Sequence, residues 1–144
     1  MNMKKGNALS AISRIREKTN RFIVRELEKR GVNGIAPSHG DILVILFQGD
    51  KYTMKELAGR INRTKPTVTV LIDKLVEYGF VEREKSATDS RVTYIKLTNK
   101  GMELKPIFDD ISDKLNELIY GDFTGVEQEV FDRLLLKVSA KLDK

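Results

Sequence analysis

Residues 53–91, TMKELAGRINRTKPTVTVLIDKLVEYGFVEREKSATDSR, contain the start and stop signals of two short helices separated by a turn. Thr53 and Glu56 have the spacing of a capping box, in which the threonine hydroxyl accepts from a backbone N–H and the glutamate reaches back to the cap residue. Apolar residues at helical spacing follow as far as Ile61. The polar residues 62–64 then interrupt this pattern and predict a turn.

A second helix is predicted to start at Thr64, a typical N-cap residue. Pro66 fits in its first turn, where a missing N–H costs nothing, and Gly79 is expected to end the helix in a left-handed conformation. One face is apolar and consists of Val68, Leu71, Ile72, Leu75 and Val76. On or near the opposite face are Lys65, Thr67, Thr69, Val70, Asp73 and Lys74.

Two runs with high β-propensity follow, at residues 80–83 and 92–97. The polar segment 84–91 between them is too long for a tight hairpin turn, so we expect it to form a wing. Two short helices, a turn and a basic two-stranded hairpin are together the outline of a winged helix-turn-helix, a fold that reads DNA. The predicted fold class is therefore mainly α with a small β-hairpin wing (α+β).

Further helices are predicted on both sides of this region. A long amphipathic helix precedes it and should end at Gly31, and Ser38 with Asp41 is expected to cap the apolar segment 42–47. Beyond the wing, Thr98 should cap a helix in which Pro106 either causes a kink or marks a break. Residues 124–127 form another capping box, which opens a last helix.

The terminal helices have apolar faces without an obvious partner inside a compact winged helix. Two copies of the chain could bury these faces together, although the helices could also fold onto their own domain. Residues 1–50 have a net charge of +4 and residues 101–144 of −4, which would favour pairing. The sequence thus predicts an N-terminal dimerisation helix (1–36), a winged helix-turn-helix DNA-binding domain (37–100) and C-terminal dimerisation helices (101–144).

Composition restricts the other possibilities. Residues 51–100 hold 11 Lys/Arg and 6 Asp/Glu, a net charge of +5 that suits a polyanionic partner. The chain has no cysteine, no phosphate-cradling glycine loop and no nucleophile elbow, so we expect no enzyme, metal or cofactor. No apolar run has the length of a membrane span or follows the basic residues 1–6 as in a signal peptide. A soluble cytoplasmic protein without a membrane partner is expected.

Several motifs in this order resemble the MarR family of bacterial transcriptional regulators. They are Met54-Lys55-Glu56-Leu57-Ala58, Pro66-Thr67-Val68-Thr69, Leu71-Ile72-Asp73-Lys74-Leu75, Gly79-Phe80-Val81, Asp89-Ser90-Arg91 and Leu97-Thr98-x-x-Gly101. The resemblance implies a homodimer built by the terminal helices. It also implies that a small, often aromatic or phenolic anion binds between those helices and the DNA-binding region and weakens DNA affinity.

The predicted DNA-binding residues are Arg63, Thr64, Lys65, Thr67, Thr69, Lys74, Lys85, Asp89 and Arg91. Threonines and lysines of the second helix would enter the major groove, although Thr64 is equally explained as a cap. Arg63 and Lys85 are candidates for phosphate contacts. Asp89 and Arg91 lie two residues apart, so on an extended strand they share a face. There the acid could hold the guanidinium toward the minor groove, or the pair could only shape the wing.

The candidate ligand-binding residues are Arg16, Phe22, His39, Phe47 and Tyr52. The aromatic members are equally explained as core, and His39 as a hydrogen-bonded structural residue beside a helix cap. Taken together, the sequence predicts a homodimeric, sequence-specific regulator of transcription that binds double-stranded DNA at a pseudo-palindromic operator, more readily a repressor than an activator. The alternatives are a winged helix used for protein contact and a non-specific architectural DNA binder.

Overall fold

The computed structural model describes residues 6–143, so residues 1–5 of the predicted N-terminal segment and Lys144 lie outside the described residues. In chain order the elements are α1 (Asn7–Lys29), α2 (Pro37–Phe47), β1 (Tyr52–Thr53), α3 (Met54–Ile61), α4 (Lys65–Glu77), β2 (Val81–Lys85), β3 (Thr93–Leu97), α5 (Asn99–Met102), α6 (Lys105–Tyr120) and α7 (Gly125–Leu142). The chain divides into two compact units, with the boundary after Ile111.

The first unit contains the winged helix-turn-helix, which confirms the predicted fold class. Strands β2 and β3 are antiparallel, with Val81 opposite Leu97 and Lys85 opposite Thr93. The sheet also has a third strand that the sequence did not predict, because β1 contains only Tyr52 and Thr53 and pairs with the far edge of β3. The predicted two-stranded hairpin is therefore one part of a three-stranded sheet with the order β1-β3-β2.

A single hydrophobic core fixes the orientation of α4 in this unit. Val68, Ile72 and Leu75 of α4 are completely buried. They pack in one cluster with buried residues from the other elements, among them Leu27, Ile42, Leu43, Leu46, Leu57 and Ile95. Because these three positions of α4 point inward, its opposite side is turned toward solvent.

The local signals in residues 53–79 are confirmed. The Thr53 hydroxyl accepts from the Glu56 N–H at 3.1 Å, and the Glu56 carboxylate accepts from the Thr53 N–H at 2.9 Å. Thr64 caps α4, and Pro66 lies in its first turn. Gly79 has a φ of 81°, as expected for a left-handed residue that ends a helix. Each of these signals depends only on residues within one turn, so the sequence was sufficient to predict it.

Two boundaries differ from the sequence prediction, and a third confirms one of two predicted alternatives. Ser38 does not cap α2, because the helix already begins at Pro37 and the N-cap residue is Ala36. Strand β2 extends to Lys85, which therefore lies at the end of a strand and not in the wing tip. Of the two interpretations of Pro106, the break is correct, since α5 ends at Met102 and α6 begins at Lys105.

The second unit contains the end of α6 and the helix α7. The predicted capping box opens α7, with the Thr124 hydroxyl 3.1 Å from the Glu127 nitrogen. Tyr120, Phe123 and Phe131 pack edge to face, with ring centroids 5.3–6.3 Å apart. Several apolar side chains of α7 are exposed, namely Val126, Val130, Leu134, Leu135, Leu136, Val138 and Leu142. Across residues 6–143, no helix has the length and apolarity needed to span a membrane.

Candidate nucleic-acid interface

The solvent-facing side of α4, here called the outer face, consists of Pro66, Thr67, Val70, Asp73, Lys74 and Glu77, all of them exposed. Lys65 is also exposed, whereas Thr69 is half-buried at the flank. The sequence prediction for this helix therefore holds, except that Thr69 is less accessible than the residues around it. The outer face therefore combines the apolar Pro66 and Val70 with one cation, Lys74, and two acids, Asp73 and Glu77.

The threonine hydroxyls near the start of α4 already have partners within the protein. The hydroxyl oxygens of Thr64 and Thr67 are 2.9 Å apart, and Thr64 also accepts from the Thr67 N–H at 3.4 Å. The Thr69 hydroxyl donates to the Lys65 carbonyl at 3.0 Å. These hydroxyls therefore form hydrogen bonds within the helix. Thr64 and Thr67 are exposed, so their methyl groups can contact a partner.

A turn at the wing tip holds Asp89 and Arg91 together. The Asp89 carboxylate accepts from the Arg91 backbone N–H at 3.0 Å and from the Arg91 Nε and Nη2 at 3.1 Å each. The Arg91 side chain is 88% exposed. The guanidinium and the backbone N–H of Arg91 lower the pKa of Asp89, so this carboxylate stays ionised. The sequence argument that both residues share a face of an extended strand was wrong, since the contact forms in a turn.

A further ion pair joins the wing to α4. Arg83 of β2 pairs with Asp73 on the outer face of α4. Arg83 also lines a surface cavity of about 470 Å³ together with Lys55, Lys65 and Arg91. The sequence alone does not indicate that Lys55 or Arg83 belongs to this surface. No local pattern predicts that a residue of β2 contacts a helix residue ten positions earlier.

Glu84, next to Arg83 on β2, points to the other face of the sheet and pairs with two lysines. Glu84 of β2 accepts from Lys51 at 2.7 Å and from Lys96 at 2.9 Å. Hydrogen bonds from these two lysines lower the pKa of Glu84 to about 2. Glu82 also pairs with Lys96 at 3.5 Å, so two carboxylates offset the charge of these two lysines. Lys85, at the end of β2, is exposed.

Three of the five candidate ligand-binding residues, Phe22, Phe47 and Tyr52, pack against the hydrophobic core. Phe47 packs edge to face with Phe108 at 5.3 Å, and both Phe22 and Tyr52 pack partly buried against the core. Arg16 is exposed on α1. Three surface cavities in the described part of the chain, of about 470, 400 and 380 Å³, have none of the five residues in their lining. Their role in ligand binding stays a prediction.

His39 has a structural contact at the start of α2. Its Nδ1 accepts from the Ala36 N–H at 3.0 Å, which requires an unprotonated Nδ1. Burial lowers the pKa of His39, and the charge of Lys74 lowers it further. The neutral imidazole is therefore the form that the fold stabilises.

We expect the protein to lose stability when the pH falls through the range in which histidine titrates. Because the folded state lowers the pKa of His39, the unfolded chain binds this proton more readily. The free energy of unfolding then decreases as the pH drops below about 6.5 and levels off below the folded-state pKa. Thermal unfolding at about pH 7.5 and about pH 5.5 measures this loss. His39→Asn, which keeps an acceptor for the Ala36 N–H, should reduce it, and an equal loss in both proteins would contradict the prediction.

Comparison with known proteins identifies the family. Residues 35–93 match the model of the MarR family. PrsX of Escherichia coli, an HTH-type transcriptional regulator, is 30% identical over 115 residues, which cover 78% of this chain and 69% of PrsX. YetL of Bacillus subtilis, an HTH-type transcriptional repressor, is 39% identical over 70 residues, which cover 47% of this chain and 42% of YetL. The crystal structure of the S. aureus MepR-DNA complex is similar with a TM-score of 0.87 and 25% identity, over 96% of this chain and 100% of MepR. These similarities confirm the resemblance of the sequence motifs, and the chain belongs to the MarR family of HTH-type transcriptional regulators.

Proposed function

We propose that this protein is a homodimeric, sequence-specific transcriptional repressor that binds double-stranded DNA through α4 and the wing. The observation that carries the proposal is the position of Arg91 and Arg83 beside Lys55 and Lys65 around one surface cavity next to the outer face of α4. A concentration of cations on one side of a small domain attracts phosphates and gains affinity from counterion release. The similarity to MepR, whose structure contains DNA, supports the same choice of partner.

In the proposed complex α4 lies in the major groove and the wing tip follows the adjacent backbone. Lys65 and Lys74 are exposed and can reach guanine edges or phosphates, while Thr67 and Thr69 contribute their methyl groups. We assign contacts with the phosphates on either side of the major groove to Arg63, Thr64 and Lys85. Arg91 enters the minor groove, with Asp89 holding its guanidinium in a fixed orientation.

Dimerisation is assigned to residues 1–36 and 101–144. The support is the set of exposed apolar side chains on the terminal helices, which a second copy of the chain could bury. On α1 it includes Leu9, Ile12 and Ile15, and on α7 it includes Leu136 and Leu142. A two-fold dimer would present two copies of α4 to successive major grooves, so the operator should be a pseudo-palindrome with half-sites about 10 bp apart.

Repression is the regulatory outcome that we favour. A dimer bound to an operator blocks polymerase without further contacts, and YetL, a relative, is named a repressor. We assign the release of DNA to a small aromatic or phenolic anion, with Arg16, Phe22, His39, Phe47 and Tyr52 as the residues to vary first.

The test is fluorescence anisotropy of the purified protein with the DNA upstream of its own gene and with a shuffled duplex, each over a range of salt concentrations. We expect a preference of about 10³-fold or more for the native duplex, with a steep salt dependence. Sedimentation of the free protein should give twice the chain mass of 16.4 kDa.

The outcomes separate the alternatives. If the protein binds both duplexes weakly, equally and in a salt-dependent way, and gives the same result with a genomic library, an architectural DNA binder is favoured. Absence of binding at low salt would favour a winged helix used for protein contact, because such a surface needs no phosphate attraction. A mass of 16.4 kDa in solution would contradict the dimer assignment.

A further inference from the structure

Val70 is an exposed apolar residue that does not belong to the hydrophobic core. Val70 is 68% exposed, whereas Val68 and Ile72 of the same helix are completely buried. At 100° per residue, Val70 lies almost directly opposite these buried positions. It therefore occupies the middle of the outer face of α4, where a partner would make its closest approach.

The residues one turn before and one turn after Val70 on α4 add further carbon atoms beside it. Pro66 precedes it by four residues on the same side of α4 and is exposed, and Lys74 follows by four. Asp73, on the outer face beside it, already pairs with Arg83 of the wing. The centre of the outer face thus offers methyl and methylene groups, and the polar groups lie around them.

The charge of the surroundings selects the partner. Lys74 lies one turn after Val70 and 3.7 Å from Glu77, and Lys65, nearer the start of α4, lines one cavity with Lys55, Arg83 and Arg91. A cluster of cations beside α4 favours a polyanion over an apolar protein surface. In the major groove of double-stranded DNA, the apolar group on the base edges is the C5-methyl of thymine.

We propose that Val70 is a specificity-determining residue that reads thymine methyl groups in the major groove, with Pro66 beside it on the same face. This inference rests on the proposed function and deepens it. It predicts thymines, or 5-methylcytosine in their place, at the base steps facing the middle of α4 in each half-site. Burial of one methyl group against Val70 should improve affinity about three- to fivefold.

The experiment measures the coupling between Val70 and the methyl groups. Each thymine of the duplex that binds best in anisotropy is replaced by deoxyuridine, which removes only the C5-methyl. Wild-type protein should bind about three- to fivefold more weakly for at least one replacement in each half-site. Val70→Ala should bind the thymine and deoxyuridine duplexes equally, because the contact is then missing from the protein side. Val44→Ala, at an exposed valine of α2, is the matched control and should behave as wild type.

The results separate this inference from the function on which it rests. Specific binding with no effect of any deoxyuridine, or with an effect that persists in Val70→Ala, overturns the assignment of Val70 and leaves the regulator intact. Absence of a preferred duplex overturns both. Val70→Ala is expected to fold as wild type, since alanine is the better helix former at an exposed position, and its thermal unfolding checks this. If Val70→Ala binds the thymine duplex as weakly as wild type binds the deoxyuridine duplex, the assignment is supported.

Discussion

Replacing Gly101 by alanine is expected to destabilise the protein by about 3 kcal/mol or more. Gly101 lies in α5, directly after the wing, where the Thr98 hydroxyl accepts from its N–H at 3.0 Å. An added methyl group would overlap the Phe80 carbonyl oxygen and approach Leu97 Cδ2 to 3.0 Å. The Phe80 carbonyl cannot withdraw easily, because it accepts a hydrogen bond from the Thr98 N–H at 3.1 Å. Urea unfolding of the variant measures the loss.

Gly59 provides the matched control. It is an exposed residue of α3, and no heavy atom lies within 4 Å of an added methyl group. Gly59→Ala should therefore stabilise the protein by about 0.5–1 kcal/mol through better helix propensity. If Gly101→Ala proved as stable as Gly59→Ala, the close packing of α5 on the residues that lead into the wing would be wrong.

Arg91→Ala should produce the largest loss of DNA affinity among the single charge removals. The guanidinium is 88% exposed yet oriented by two hydrogen bonds to Asp89, so little order is lost when DNA is bound. We expect a loss on the order of tenfold per half-site, hence on the order of a hundredfold for a dimer. The logarithmic salt slope should fall by about two, because two cations are removed from the complex. Anisotropy titrations at several salt concentrations measure both quantities.

Two variants distinguish contact with DNA from a role in wing structure. Arg91→Lys keeps the charge but not the planar fork, so it should restore most of the salt slope and only part of the affinity. Asp89→Asn removes the partner of the guanidinium and leaves Arg91 free to reach DNA. If Arg91 only shaped the wing, Asp89→Asn and Arg91→Ala would weaken binding equally, and neither would change the salt slope.

The sequence was sufficient wherever one turn of chain held all the atoms involved. The capping box of Thr53, the cap at Thr64, the break at Pro106 and the left-handed Gly79 are of this kind. The family resemblance also predicts the order of these elements along the chain. The similarity to known regulators confirms the family. These features determine the two helices, the turn and the hairpin.

Features that join distant residues were not predictable in the same way. The two-residue strand β1 exists only through its pairing with β3, more than forty positions later. The motif Leu97-Thr98-x-x-Gly101 predicted a cap, but the reason that a glycine fits at its end is the backbone of Phe80, which only the folded chain brings there. The histidine cap of α2 replaced the predicted serine, because the helix starts at Pro37, two residues earlier than a cap at Ser38 would give.

The ion pair between Asp73 of α4 and Arg83 of β2 joins the helix to the wing, and only residues 78–80 connect the two elements along the chain. The separation of α4 and the wing would then correspond to a set number of base pairs between the bases that α4 contacts and the backbone that the wing contacts. The spacing of an operator would then matter in addition to its sequence, because insertion of one base pair between these two points would shift one contact by about 3.4 Å of helix axis. Relatives that keep this ion pair should share the spacing of their operators even where the base sequences differ.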